Sequence, residues 1–113
     1  MMKKIEAVIR VEKLQVVRKQ LEKAGYPGLT IFRVEGHGKQ KGRTQQFRGR
    51  QYKQELLPKM RIEIVAKDED VERIVKAVST AAKTGEIGDG KIFVSPIENA
   101  IRIRTGQKAE DAL

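Results

Sequence analysis

Over residues 3 to 11, Ile5, Ala7, Ile9 and Val11 fall on one side of the chain and Glu6, Val8 and Arg10 on the other. That is the period of a half-buried strand. The spacing then becomes helical: Leu14, Val17, Leu21 and Ala24 share a face, and Gly25, Pro27 and Gly28 supply the stop. LTIFRV at 29–34 and KMRIEIVA at 59–66 are rich in β-branched residues, the second alternating Met60, Ile62 and Ile64 with Arg61 and Glu63. Two further strands are predicted there. A polar, glycine-punctuated loop is expected between them, at about 36–55, longer than compact domains carry without a use for it. Val71, Ile74, Val75, Val78, Ala81 and Ala82 form the stripe of a second helix, with Asp68 or Asp70 placed to cap it. KIFVSP at 91–96 and NAIRIR at 99–104 give two short strands.

The predicted order is β-α-β-β-α-β followed by a short strand and tail, an α+β, ferredoxin-like sandwich with both helices on one face of an antiparallel sheet. A length of 113 residues allows one domain, 1–113, with one core. The uncovered face would carry Glu6, Arg10, Arg61, Glu63, Arg102 and Arg104, a mixture of charges suited to a wet, ionic contact with another subunit.

Composition narrows the chemistry. The chain has no cysteine, which excludes thiolate metal sites, and its single histidine, His37, argues against an imidazole-based centre, so any metal is expected to take oxygen ligands. Absence of a nucleophile-base pair or clustered carboxylates leaves no conventional catalytic centre, and no enzyme is expected. There is no apolar run of about 20 residues and no signal-peptide core after MMKK, which points to the cytoplasm. The net charge is +9, and residues 33–61 hold nine Lys or Arg against two Glu, so an anionic partner is implied at the loop.

Three segments could receive an anion. GEIGDGK at 85–91 satisfies G-x-x-x-x-G-K, but Ile92 stands where a P-loop needs Ser or Thr, and a helix precedes the segment where a P-loop has a strand. Phosphate binding remains open, since three glycines let backbone amides approach an anion and Lys91 adds a charge. The alternative is a plain glycine turn closing the helix. Arg102 and Arg104, two apart in a strand pattern, could grip a polyphosphate with bidentate hydrogen bonds, or form a solvated basic edge. Adjacent strands would then bring Lys91 and both arginines to one ligand. GHGKQKG at 36–42 is by pattern alone the start of a flexible loop.

Taken together, TGEIGDGKIFV at 84–94, IRIRTG at 101–106, GHGKQKG, RGRQY at 48–52 and LPKMRIEIV at 57–65 resemble, in order and spacing, the PII family of nitrogen signal-transduction proteins over about residues 2–107. The resemblance implies a homotrimer with nucleotide, ATP or ADP, in clefts between neighbours. It places Arg102, Arg104, Lys91 and the amides around Gly88, Asp89 and Gly90 on the phosphates, with Thr30, Gly38, Lys39, Glu63 and Val65 lining the rest of the pocket. Gln40 would give an oxygen to a magnesium ion shared by ATP and 2-oxoglutarate, Lys39, Lys41 and Gly42 would border the oxoacid, and Lys59 would pair with its distal carboxylate. Phe47, Arg48, Arg50 and Tyr52 would form the partner-binding tip, and Tyr52 keeps the position of a modifiable tyrosine, although Arg50 and Gln51 depart from the usual tip sequence. Val11 replaces the family's proline near the end of strand one. Implied partners are an ammonium transporter or a nitrogen-assimilation protein, with membrane association only through a transporter. The rival reading is a basic ferredoxin-like nucleic-acid-binding module. Against it, the central strands offer Glu6, Val8, Arg61 and Glu63 where RNA-recognition sheets expose stacking aromatics.

Overall fold

The alternation of the first strand decides where the core lies. In β1, Met2–Arg10, the odd-numbered Ile5, Ala7 and Ile9 are buried, while Lys4, Glu6, Val8 and Arg10 lie half-buried on the other side. The computed structural model describes residues 1–39 and 54–113 and sets four antiparallel strands in the order β2-β3-β1-β4. Two helices cover one face, α1 at Leu14–Lys23 and α2 at Val71–Ala82. Val17 and Leu21 of α1 and Ile74, Val78, Ala81 and Ala82 of α2 close the core against β1 and against Met60, Ile62, Ile64 and Ala66. Both predicted stripes are the packed ones, because burying them is what stabilises amphipathic helices of this length.

Several predicted boundaries shift. β1 ends at Arg10, and Val11 opens a 3-10 turn, Val11–Lys13, where it is exposed. Gly25 stops α1 with φ +98, a value that glycine adopts freely. β2 spans Thr30–Lys39 and β3 Gln54–Lys67, each longer than predicted, and pairing continues from Gly36↔Leu57 to Lys39↔Gln54. The expected loop at about 36–55 is therefore shorter by the two strand ends; residues 40–53 lie outside the described residues. Pro58 is accommodated because β1 stops pairing at Arg10↔Lys59, and beyond that point β3 has a neighbour on one side only.

Neither Asp68 nor Asp70 caps α2. A 3-10 turn, Asp68–Asp70, precedes the helix and gives Asp70 helical dihedrals of φ −95 and ψ −12, not the extended backbone from which a side chain caps. Asp68 instead accepts from the Lys3 ammonium at 3.0 Å and Asp70 from the Tyr26 hydroxyl at 2.8 Å.

β4 runs Lys91–Ile97, as predicted to within one residue. The strand predicted at 99–104 does not form. Ile101 makes an isolated bridge to Lys108, Arg102 N–H donates to the Gln107 carbonyl and Gly106 N–H to the Arg102 carbonyl, closing a tight hairpin before a 3-10 turn at Ala109–Ala112. Arg102 and Arg104 consequently leave the open face of the sheet. That face carries Lys4, Glu6, Val8 and Arg10 of β1 beside Lys59, Arg61, Glu63 and Val65 of β3, by their shared register. No helix among the described residues is long and apolar enough to cross a membrane.

Candidate functional site

The segment between α2 and β4 is where the sequence concentrates positive dihedrals: Gly85, Gly88 and Gly90 take φ +91, +105 and +100. At Gly90 the constraint is also spatial, since a Cβ there would stand 1.7 Å from the Val8 carbonyl oxygen. At Gly90 the loop thus runs alongside β1 with its backbone almost in contact.

Its shape is held by one carboxylate. Asp89 Oδ2 accepts the N–H groups of Thr84 and Gly85, both at 2.8 Å, and Oδ1 accepts the Thr84 hydroxyl and, at 3.1 Å, Arg10 Nε. Hydrogen bonds from the Thr84 hydroxyl and amide, with further help from Gly85 and Arg10, hold the Asp89 carboxyl well below the usual carboxylate range. Two cations secure the turn's carbonyls, Arg10 Nη2 on Ile87 O at 2.8 Å and Lys59 Nζ on Gly88 O at 2.6 Å. Burial, followed by the nearby Arg10, lowers the Lys59 pKa. In a trans peptide the N–H points opposite to the carbonyl of the same unit. Holding Ile87 O and Gly88 O on the β1/β3 side therefore turns the N–H groups of Gly88 and Asp89 away from it. Among the described residues the N–H groups of Ile87, Gly88, Asp89 and Gly90 meet no acceptor. Backbone amides left without a partner at a glycine turn are donors of the kind that can receive an anion, and Lys91 follows the turn as the first residue of β4.

The other expected residues fall in two places. Thr30 pairs across strands with Glu63, and Val65 lies two residues further on the same face. Lys4 reaches Glu6 and Glu63 at 3.7 and 4.0 Å, while Arg61 Nε stands 3.5 Å from Glu63 and is not aligned as a hydrogen bond to it. The Arg61 guanidinium lies 4.2 Å from the centre of the Phe32 ring. Arg102 donates to the backbone carbonyl of Leu113 at 2.9 Å and, among the described residues, makes no hydrogen bond to the glycine loop. β4 is about 20 Å long, and the tail meets the sheet at its far end, where Ile97 and Glu98 lie beside Met1, Met2 and residues 108–111. The expectation that adjacent strands unite Lys91 with Arg102 and Arg104 is thus not met within one chain, because the segment carrying the arginines folds on itself. Gly38 and Lys39 belong to the backbone of β2. Gln40, Lys41, Gly42, Phe47, Arg48, Arg50 and Tyr52 lie outside the described residues.

The match to known proteins is decisive at this point. The family model for "Nitrogen regulatory protein P-II" fits residues 2–107. The chain belongs to the P-II family. Nitrogen regulatory protein P-II of Cereibacter sphaeroides is 52% identical over 112 residues, covering 99% of this chain and 100% of the relative. That of Azospirillum brasilense is 50% identical with the same coverage, and P-II 2 of Methanothermobacter thermautotrophicus is 50% identical, with 97% of it covered. The crystal structure of Arabidopsis thaliana PII bound to citrate superposes with a TM-score of 0.81 at 36% identity, spanning 99% of this chain and 92% of that one. As a P-II protein, the chain is a regulatory signal transducer and not an enzyme.

Sequence reasoning missed two members of the site. Arg10 reads as one more charge on an open strand face, yet it holds both Asp89 and Ile87 O. Thr84 enters only as the first residue of the TGEIGDGKIFV motif and is given no role, yet its hydroxyl and amide anchor Asp89, and its Oγ1 also accepts from Glu86 N–H at 3.1 Å. A Thr five residues before an Asp in a glycine loop is the pattern that could have marked Thr84; no local pattern marks Arg10, which lies 79 residues from Asp89.

Proposed function

We propose that this P-II protein senses adenine nucleotide and, together with Mg-ATP, 2-oxoglutarate, and reports their occupancy to partner proteins through its 36–55 segment. The observation that carries the reading is the glycine loop, whose amides at Ile87, Gly88, Asp89 and Gly90 have no acceptor among the described residues while the carbonyls of Ile87 and Gly88 are taken by Arg10 and Lys59. Such a loop is prepared for phosphate oxygens, with Lys91 beside it.

The remaining phosphate ligands, Arg102 and Arg104, would come from a neighbouring subunit of a homotrimer, whose Thr30, Glu63 and Val65 would complete the nucleotide pocket. The described residues contain no cluster of three His, Asp or Glu that could hold a metal. Magnesium would accordingly arrive on the phosphates, with Gln40 supplying one oxygen. It would lie between the triphosphate and the oxoacid, whose far carboxylate would meet Lys59, with Lys39, Lys41 and Gly42 alongside. The citrate of the Arabidopsis PII structure is a polycarboxylate of similar chemistry. Phe47, Arg48, Arg50 and Tyr52 would form the surface offered to an ammonium transporter or a nitrogen-assimilation protein, in the cytoplasm, and Tyr52 is the residue to examine for modification.

Calorimetric titration tests the scheme. 2-Oxoglutarate should bind only when Mg-ATP is present, because two polyanions side by side need a cation between them. Equal affinity without nucleotide or magnesium would refute it, as would a Gln40→Ala protein with unchanged affinity for the oxoacid.

A further inference from the structure

Asp89 is acidic in the middle of a loop proposed to receive phosphates. A free carboxylate there would repel the ligand, and its side chain is not free: four donors surround it, from Thr84 N, Thr84 Oγ1, Gly85 N and Arg10 Nε. These bonds tie the start of the turn to its end and link both to β1. They also occupy the amides of Thr84 and Gly85, so that those left over for a ligand are the later ones, at Ile87, Gly88, Asp89 and Gly90. Three glycines at positive φ have wide conformational freedom, and a loop built from them would otherwise lose much of its binding free energy in becoming ordered.

We propose that Asp89 is a positioning residue: clasped by Thr84, Gly85 and Arg10, its carboxylate fixes the 84–90 turn in its anion-receiving shape and makes no contact with the nucleotide itself. The inference rests on the nucleotide reading above. Asp89 acts through the turn, and Thr84 is its principal partner, since the threonine supplies two of the four donors and passes the restraint on to Glu86 N–H.

The test is calorimetric titration of the full-length protein with Mg-ATP, with melting of the unliganded protein followed in parallel. Asp89→Asn keeps the size of the side chain and replaces an acceptor oxygen with a donor; it should weaken ATP binding roughly tenfold, the cost of about one charge-assisted hydrogen bond. Thr84→Val should lose about as much, and Thr84→Ser, which restores the hydroxyl, should bind like the wild type. The Asp89→Asn, Thr84→Val double variant should lose little more than either alone, since both break one clasp. Backbone amide resonances of Gly88 and Gly90 should move in both single variants before any nucleotide is added. Losses that add in full, or a Thr84→Val protein that binds ATP normally while Asp89→Asn does not, would show that Asp89 touches the ligand and would overturn the proposal. Wild-type affinity in Asp89→Asn would overturn it as well. If Asp89→Asn fails to fold, the Thr84 pair and its resonances decide alone. A wild-type protein that does not bind ATP would refute the nucleotide reading instead, a result distinguishable because it appears before any substitution.

Discussion

The glycines between α2 and β4 look interchangeable in sequence, and their surroundings separate them. A Cβ on Gly85 meets nothing within 4 Å, and one on Gly88 meets the movable Arg10 guanidinium at 3.2 Å, so substitution there costs chiefly the strain of a positive φ, about 1–3 kcal/mol. At Gly90 the neighbour is backbone, the Val8 carbonyl oxygen at 1.7 Å, and relief requires the loop or β1 to move. Alanine at Gly90 should therefore destabilise the protein by clearly more than alanine at Gly85, a difference of at least about 2 kcal/mol. Urea denaturation of the three single variants measures the order, and equal losses would contradict the close approach to Val8. The same contrast marks what was legible at this scale. That glycine was needed and Lys91 stood beside it could be read from GEIGDGK; that Asp89 turns inward on Thr84, with Arg10 and Lys59 on the carbonyls, could not, because each depends on register between β1, β3 and the loop.

Among the elements, those with a strong period were predicted within a few residues: β1, α1 and α2 have their apolar stripes in the core, while β4 is matched in extent and sends only Ile92 against it. The errors share a cause, which is that pairing partners are invisible to a local pattern. Gly36 and Gly38 read as loop and Pro58 falls just ahead of the predicted strand, yet β2 and β3 hold each other extended there; NAIRIR reads as strand, yet finds only the Ile101↔Lys108 bridge. The junction around α2 is a further case, since Asp70 serves the Tyr26 hydroxyl instead of the helix end, and Arg73 Nη1 donates to the same hydroxyl at 3.2 Å. This pair of bonds fastens the turn after α1 to the first turn of α2. Tyr26→Phe keeps the ring and removes the link, at an expected cost of ~1 kcal/mol. For a chain of this size that is about 4 °C in melting temperature. An unchanged melting curve would mean that water replaces the hydroxyl without loss.

For the whole molecule, the proposed phosphate ligands fall in two separate places. The glycine loop and Lys91 sit at the Arg10 end of the sheet, whereas Arg102 belongs to the tail hairpin and reaches the Leu113 carbonyl. One nucleotide can meet both sets only if two subunits contribute, and an open sheet face bearing Lys4, Glu6, Arg61 and Glu63 in mutual ion-pair range offers a surface for such association. In solution the mass should be three times the 12.8 kDa of the chain by light scattering. A stricter test uses two variants that each lack half of the site, Lys91→Ala, and Arg102→Ala with Arg104→Ala. Each alone should bind ATP poorly, through loss of charge-assisted hydrogen bonds at every site. Unfolded and refolded together in equal amounts, they assemble at random in a closed ring, where each cleft takes its loop from one subunit and its arginines from the next. The chance that an intact loop meets intact arginines is one half for each, so about one quarter of the sites should regain wild-type affinity. A site contained within one chain would regain none, because every chain in the mixture carries a defect. Recovery of tight sites near that fraction thus establishes a nucleotide shared across the subunit boundary, and complete absence of recovery in a mixture shown to be trimeric would refute it.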